Sequence, residues 1–169
     1  GPASNVGGLI GYFGKPGGLS NAHATGAVSG GTRTGGLVGY YVNGGNLSGA
    51  SATGQVSGGT YAGGLVGDFV SSGTLSNATA SGRVEGNYAG GLVGSFFGSG
   101  DSLNLQASGA VNGNSYGGGL YGLWQYSGTL KDSATTGAVT AEGYAGGLVG
   151  YGYDNDGIDN SSASGNVAA

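Results

Sequence analysis

The 169-residue chain has no cysteine and no methionine, only two prolines, one tryptophan and one histidine, and its charged residues amount to 7%. Without cysteine there is neither a disulfide framework nor a thiolate zinc site, and the redox compartment cannot be read. Four Lys+Arg against eight Asp+Glu give a net charge of −4. No basic run exists that could neutralise a line of phosphates, so nucleic acid is excluded as a partner. No apolar run approaches the ~20 residues that cross a bilayer, and no charged-then-apolar leader opens the sequence, so no membrane span is expected. Charge is also too scarce for a charge-extended disordered segment, and hydrophobic residues still reach 37%. What the chain has in excess is glycine, 45 residues. At roughly 1 kcal/mol per glycine relative to alanine, that density excludes helix.

The glycines are periodic. Gly-Gly-Leu recurs at Gly7-Gly8-Leu9, Gly35-Gly36-Leu37, Gly63-Gly64-Leu65, Gly90-Gly91-Leu92, Gly118-Gly119-Leu120 and Gly146-Gly147-Leu148, in steps of 28, 28, 27, 28 and 28. A small-Thr/Ser-Gly-x-Val element marches in phase and ends at Val28, Val56, Val84, Val111, Val139 and Val167. The single deletion lies where Ser57-Gly58-Gly59-Thr60-Tyr61 becomes Glu85-Gly86-Asn87-Tyr88. Within a unit the apolar period is two. Ala22, Ala24, Gly26 and Val28 alternate with His23, Thr25, Ala27 and Ser29, which predicts one half-buried strand. Lys15-Pro16-Gly17-Gly18, Val42-Asn43-Gly44-Gly45 and Ser71-Ser72-Gly73-Thr74 read as turns between such strands.

A 28-residue unit of short strands cannot bury its own apolar side, whereas stacked copies share a continuous core. The expected fold is all-β, a β-solenoid or parallel β-helix-like prism of about six coils, one unit per coil. At about 4.8 Å per coil it would be roughly 29 Å long. Stacked antiparallel hairpins are the alternative topology. Gly1-Pro2 reads as a protease scar, with residues 1–4 a lead-in and residues 5–169 one repeat domain of units at about 5–32, 33–60, 61–87, 88–115, 116–143 and 144–169. Leu9, Leu37, Leu65, Leu92, Leu120 and Leu148 should form one inward ladder, the six valines another, with Ala24, Ala52, Ala80 and Ala107 narrowing the space between. Gly26, Gly54, Gly82, Gly109, Gly137 and Gly165 mark either an approach of opposite walls or a corner of positive φ. The fourth unit puts Ser102 where Leu75 and Leu47 sit, with Leu103 and Leu105 beside it, which predicts a local repacking.

Gly-Gly-Leu-Val-Gly at 35–39, 63–67, 90–94 and 146–150, its variants at 7–11 and 118–122, and the following Gly-x-Val element resemble the GLUG repeat, over nearly the whole chain. The resemblance implies a non-catalytic module of a large bacterial surface or secreted protein, such as an adhesin or the repeat region of an immunoglobulin A protease. It therefore implies an extracellular location.

The raw material for catalysis is thin. His23 falls in an outward column with Ser51, Thr79, Gln106, Ala134 and Ser162, and the acids do not recur in register, so no enzyme is expected. Asp154, Asp156 and Asp159, alternating along Asp154-Asn155-Asp156-Gly157-Ile158-Asp159, resemble a fragment of a calcium loop, and calcium is the one cofactor suggested. Lys131 should sit one coil before Asp159. Tyr61, Tyr88, Tyr116 and Tyr144 share a column that Arg33 occupies in the second unit, a ladder able to stack on a glycan or simply on itself. Phe13, Tyr41, Phe69, Phe96 and Trp124 form a second aromatic column, placed inside. Thr25, Thr53, Ser81, Ser108, Thr136 and Ser164 run beside the His23 column, whose hydroxyl members include Ser51 and Thr79. Spacings of about 6.7 Å along a strand and about 4.8 Å between coils make this a flat hydroxyl grid of the kind that orders ice. The leading expectation is an adhesive module for a glycan, a host protein or another cell, with ice binding as the alternative. Open ends with no cap at Asn166-Val167-Ala168-Ala169 suggest a fragment of a longer array or end-to-end self-association.

Overall fold

The computed structural model describes residues 3–169, so the reading of Gly1-Pro2 as a scar falls outside the described residues. Every strand pairing among these residues is parallel and joins positions 28 apart, or 27 across the shortened unit. Stacked hairpins are thereby excluded, and the chain is a β-solenoid of about six coils. Three parallel sheets form its walls. One coil leaves sheet A at Tyr61–Gly63, turns through Gly64-Leu65 into sheet B at Val66–Val70, and rounds a corner at Ser71-Ser72-Gly73-Thr74. It then enters sheet C at Leu75–Ala80 and returns to sheet A at Val84–Gly90.

The interior holds two cores. Leu37, Leu65, Leu92 and Leu120 are fully buried in the larger one, whereas Leu9 in the first coil is 53% exposed because only one neighbouring coil covers it. Val56, Val84, Val111 and Val139 form a separate, smaller core with Ala62 and Ala89. The walls meet between the two cores. A Cβ on Gly36, Gly64 or Gly91 would lie 2.9, 2.9 or 3.1 Å from the Cβ of Ala52, Ala80 or Ala107. Glycine facing alanine lets the walls approach closely here, and in the next coil Gly119 faces the buried Thr135, whose Oγ1 donates to the Gly147 carbonyl at 2.6 Å.

Wall contact therefore falls on the Gly-Gly-Leu element, which corrects the expectation for the Gly26 column. A Cβ on Gly54, Gly82, Gly109 or Gly137 would lie 1.9–2.1 Å from the carbonyl oxygen of the matching glycine one coil earlier. None of these glycines has positive φ. They permit close stacking along the axis at a corner, and that corner breaks the expected continuous strand. Residues 22–29 form two short strands, His23–Ala24 in sheet C and Val28–Ser29 in sheet A. Positive φ occurs instead at a corner that the periodicity did not single out. Asn21, Gly49, Asn77, Asn104, Asp132 and Asn160 all have φ between 44° and 61°. Asn and Asp tolerate this left-handed conformation, and Asn104 Nδ2 donates to Asn77 Oδ1 of the neighbouring coil at 2.8 Å.

The second aromatic column lies inside, as expected. Phe13, Tyr41, Phe69 and Phe96 stack at 4.8, 4.7 and 4.6 Å between successive centroids, within 10° of parallel. The Tyr41 hydroxyl donates to the Gly45 carbonyl at 2.8 Å, and burial pushes its pKa up to about 12.

Repacking in the fourth unit takes a definite form. Ser102 pairs in register with Leu75 and Leu130, and Tyr121 with Val93 and Val149. The serine opens the space that the tyrosine fills, and Tyr121 Oη donates to Ser102 Oγ at 2.6 Å with both residues buried. Leu105 takes the buried position of Ala78, while Leu103 points outward. The missing residue lies between Gly86 and Tyr88, where the ladder to the next coil shifts by one and the strand runs on without a turn.

Candidate functional site

Sheets A and B meet at a concave outer corner, because the strand Tyr61–Gly63 and the strand Val66–Val70 fold back through the two-residue Gly64-Leu65 link. One wall carries Arg33, Tyr61, Tyr88, Tyr116 and Tyr144 in register. The other carries Tyr12, Tyr40, Asp68, Ser95, Leu123 and Tyr151. The expected tyrosine column exists, and the corner consumes most of it. Tyr61, Tyr88 and Tyr116 are half-buried, with centroids 5.5 and 4.9 Å apart and planes tilted by 30° and 31°. Rings arranged in this way turn their faces to one another and leave edges for solvent. Tyr144 is 55% exposed, but it packs against Tyr116 at 5.3 Å and Tyr151 at 5.5 Å.

Arg33 closes the other end of the corner. Its Nε lies 2.8 Å from Asp68 Oδ2, and its guanidinium carbon sits 4.2 Å above the Tyr40 ring and 6.0 Å from that of Tyr61. Asp68 is buried, and this desolvation raises its pKa above the usual carboxylate value, against the opposing hydrogen bonds from Arg33 and Ser95. The hydrogen bond to Asp68 in turn raises that of Arg33. Cation–π contact and ion pair alike are satisfied within the fold.

The hydroxyl columns lie elsewhere, where sheet C turns toward sheet A. Ser51 pairs with Thr79, Thr79 with Gln106, and Gln106 with Ala134. His23 is exposed in this column, its Nδ1 2.7 Å from Ser51 Oγ. Thr25, Thr53, Ser81, Ser108, Thr136 and Ser164 are all exposed. The N–H groups of Thr53, Ser81, Ser108 and Thr136 donate at 3.0–3.1 Å to Ala24, Ala52, Ala80 and Ala107 of the coil before. The coils therefore hold these side chains in a fixed row. Between the two rows lies a trough of about 160 Å³, floored by Ala52, Ala80 and Ala107 and walled by residues such as Thr79, Gln106, Ser81 and Ser108. The expected flat grid is thus two rows over a floor of nearly buried alanines, whose methyl groups face the waist inside. The alanines that close the waist from inside also line the trough from outside.

Asp154 and Asp156 line one hollow with Tyr126, while Asp159 lies on the strand Gly157–Asp159, paired in register with Lys131. Among the described residues no three His, Cys, Asp or Glu side chains converge as metal ligands. The three acids are exposed.

Residues 30–57 and 141–168 match the family model of the GLUG motif. The chain carries GLUG repeats. Each matched GLUG segment spans one coil, entering by the Arg/Tyr strand of sheet A and closing on a valine strand such as Val56–Ser57. No curated protein and no solved structure matches the chain. Sequence reasoning missed one exposed aromatic group, Phe97, Tyr126 and Tyr153, because Phe97 and Tyr153 share their column with Val42, Val70 and Gln125 and show no run of one residue type.

Proposed function

We propose that this GLUG-repeat solenoid is a non-enzymatic structural and adhesive module of a secreted or surface-anchored bacterial protein, and that it binds through the trough rather than through the tyrosine column. The observation that carries this reading is an exposed Thr/Ser rail beside a second, uncharged mixed row, flanking an alanine-floored trough, with the coils hydrogen-bonded to one another along it. Neither rail contains Asp, Glu, Lys or Arg, so electrostatic steering toward a charged partner is weak there. Short hydroxyls both donate and accept, and the rigid backbone removes most of the ordering cost of binding. A neutral, repetitive surface such as a bacterial or host glycan coat suits these rails. The test is retention on neutral polysaccharide matrices. Ser81→Lys with Ser108→Lys should abolish retention while leaving the circular dichroism spectrum unchanged, and undiminished retention would refute the assignment.

Ice is the second reading, favoured by the two-dimensional regularity of the same rails. Thermal hysteresis that vanishes in Thr53→Tyr or Thr136→Tyr would establish it. No hysteresis at high protein concentration would remove it.

A further inference from the structure

Sheets B and C meet at another corner, remote from the trough, and it carries the densest group of exposed rings. Phe97, Tyr126 and Tyr153 are 44%, 46% and 50% exposed. Their centroids lie 5.2 and 5.5 Å apart, with planes inclined by 64° and 80°. An edge-to-face contact occupies one face of one ring, whereas Tyr61, Tyr88 and Tyr116, inclined by only 30° and 31°, turn their faces toward one another. Ring faces therefore remain open here. Beside Tyr126 lies a hollow of about 220 Å³ lined by Ser99, Ser127, Gly128, Asp154 and Asp156. Neither aspartate is in an ion pair among the described residues, and both are exposed.

Tyr126 is also the most strained residue of its column. It has φ +51°, whereas the equivalent left-handed positions are held by Asn43, Gly98 and Asp154, residue types that adopt this conformation readily. A bulky aromatic at such a site is destabilising, and strain of this kind gathers at binding sites.

We infer that Phe97, Tyr126 and Tyr153 form a platform for a neutral saccharide, with Asp154 and Asp156 accepting hydrogen bonds from its hydroxyls. Pyranose rings present a face of C–H groups that packs on an aromatic face, and a rim of hydroxyls that unpaired carboxylates can accept from. The negative charge of the hollow disfavours uronic and sialic acids. This site is separate from the trough and makes a different prediction, so each can fail alone.

The experiment is titration of the whole chain with neutral trisaccharides of glucose, galactose, mannose and N-acetylglucosamine, read by chemical-shift changes and calorimetry. At least one should bind and perturb Tyr126 and Tyr153. Tyr126→Asn should raise the thermal midpoint by relieving the left-handed strain while weakening binding roughly tenfold or more, the equivalent of about 1.4 kcal/mol. Tyr153→Ala and Asp154→Asn with Asp156→Asn should weaken it as well. Tyr88→Ala in the packed column, and Ser108→Lys in the trough, should leave it unchanged. The inference is overturned if no neutral trisaccharide shifts these residues, if Tyr126→Asn retains full affinity, or if only cationic probes bind.

Discussion

Exchanging Tyr121 and Ser102 for the residues that neighbouring coils hold at those positions tests whether the columns act as independent ladders or as a jointly packed interior. Tyr121→Val alone removes a fully buried ring and leaves the Ser102 hydroxyl, itself 1% exposed, without the partner it accepts from at 2.6 Å. Cavity formation costs about 3 kcal/mol for a loss of this size. The orphaned hydroxyl adds about 1–3 kcal/mol. Ser102→Leu alone forces a larger side chain into space the tyrosine occupies, at about 1–3 kcal/mol. It also strips the Tyr121 hydroxyl of its acceptor. The double variant removes both polar groups and restores the residue types of Leu75 and Val93, which hold the equivalent positions one coil earlier and are fully buried there. It should fall within about 1.5 kcal/mol of the parent, as volume-conserving changes do. Urea unfolding of the four proteins in a double-mutant cycle should therefore return a coupling of at least about 2 kcal/mol, with the double variant more stable than either single one. Additive losses would refute the reasoning and show that the serine and tyrosine occupy unrelated spaces.

The glycines of the corner column should behave differently by coil. A Cβ at Gly82 would lie 1.9 Å from the Gly54 carbonyl oxygen, whereas one at Gly26 would meet nothing within 4 Å. Gly82→Ala should lower the thermal midpoint sharply, while Gly26→Ala should be neutral or stabilising by about 0.4–1 kcal/mol; equal effects would contradict axial crowding. Asp68 supplies a pH test. Its pKa is raised in the folded state, chiefly by burial, so the folded chain holds a proton that the unfolded chain has lost. Its contribution is fully present below the ordinary carboxyl value of 3.8 and is lost as pH rises through the raised folded value. Comparing Asp68→Asn with the parent across that window isolates the contribution, and an Asp68-dependent rise in stability with pH would refute the assigned direction.

Much of the architecture is legible in the chain itself. The step of 28 between Gly-Gly-Leu elements, the single step of 27 and the period of two within a unit determine a stacked β fold and its columns. Stacking in register repeats every environment, so a position that needs leucine in one coil needs it in the next. That logic places Leu65, Val84 and Phe69 inside and Thr53, Ser81 and Tyr61 outside. Periodicity is silent, however, on how the walls approach one another. Only the tertiary structure decided that Gly64 closes a waist against Ala80, that Gly82 is crowded by the coil before it, and that the tyrosine column lies in a concave corner where its ring faces are used up. The platform of Phe97, Tyr126 and Tyr153 was hidden for the same reason. It joins a strand end to a corner, two columns whose neighbourhood depends on the angle between sheets, and that angle is set by packing across the coil rather than by any repeat along the chain.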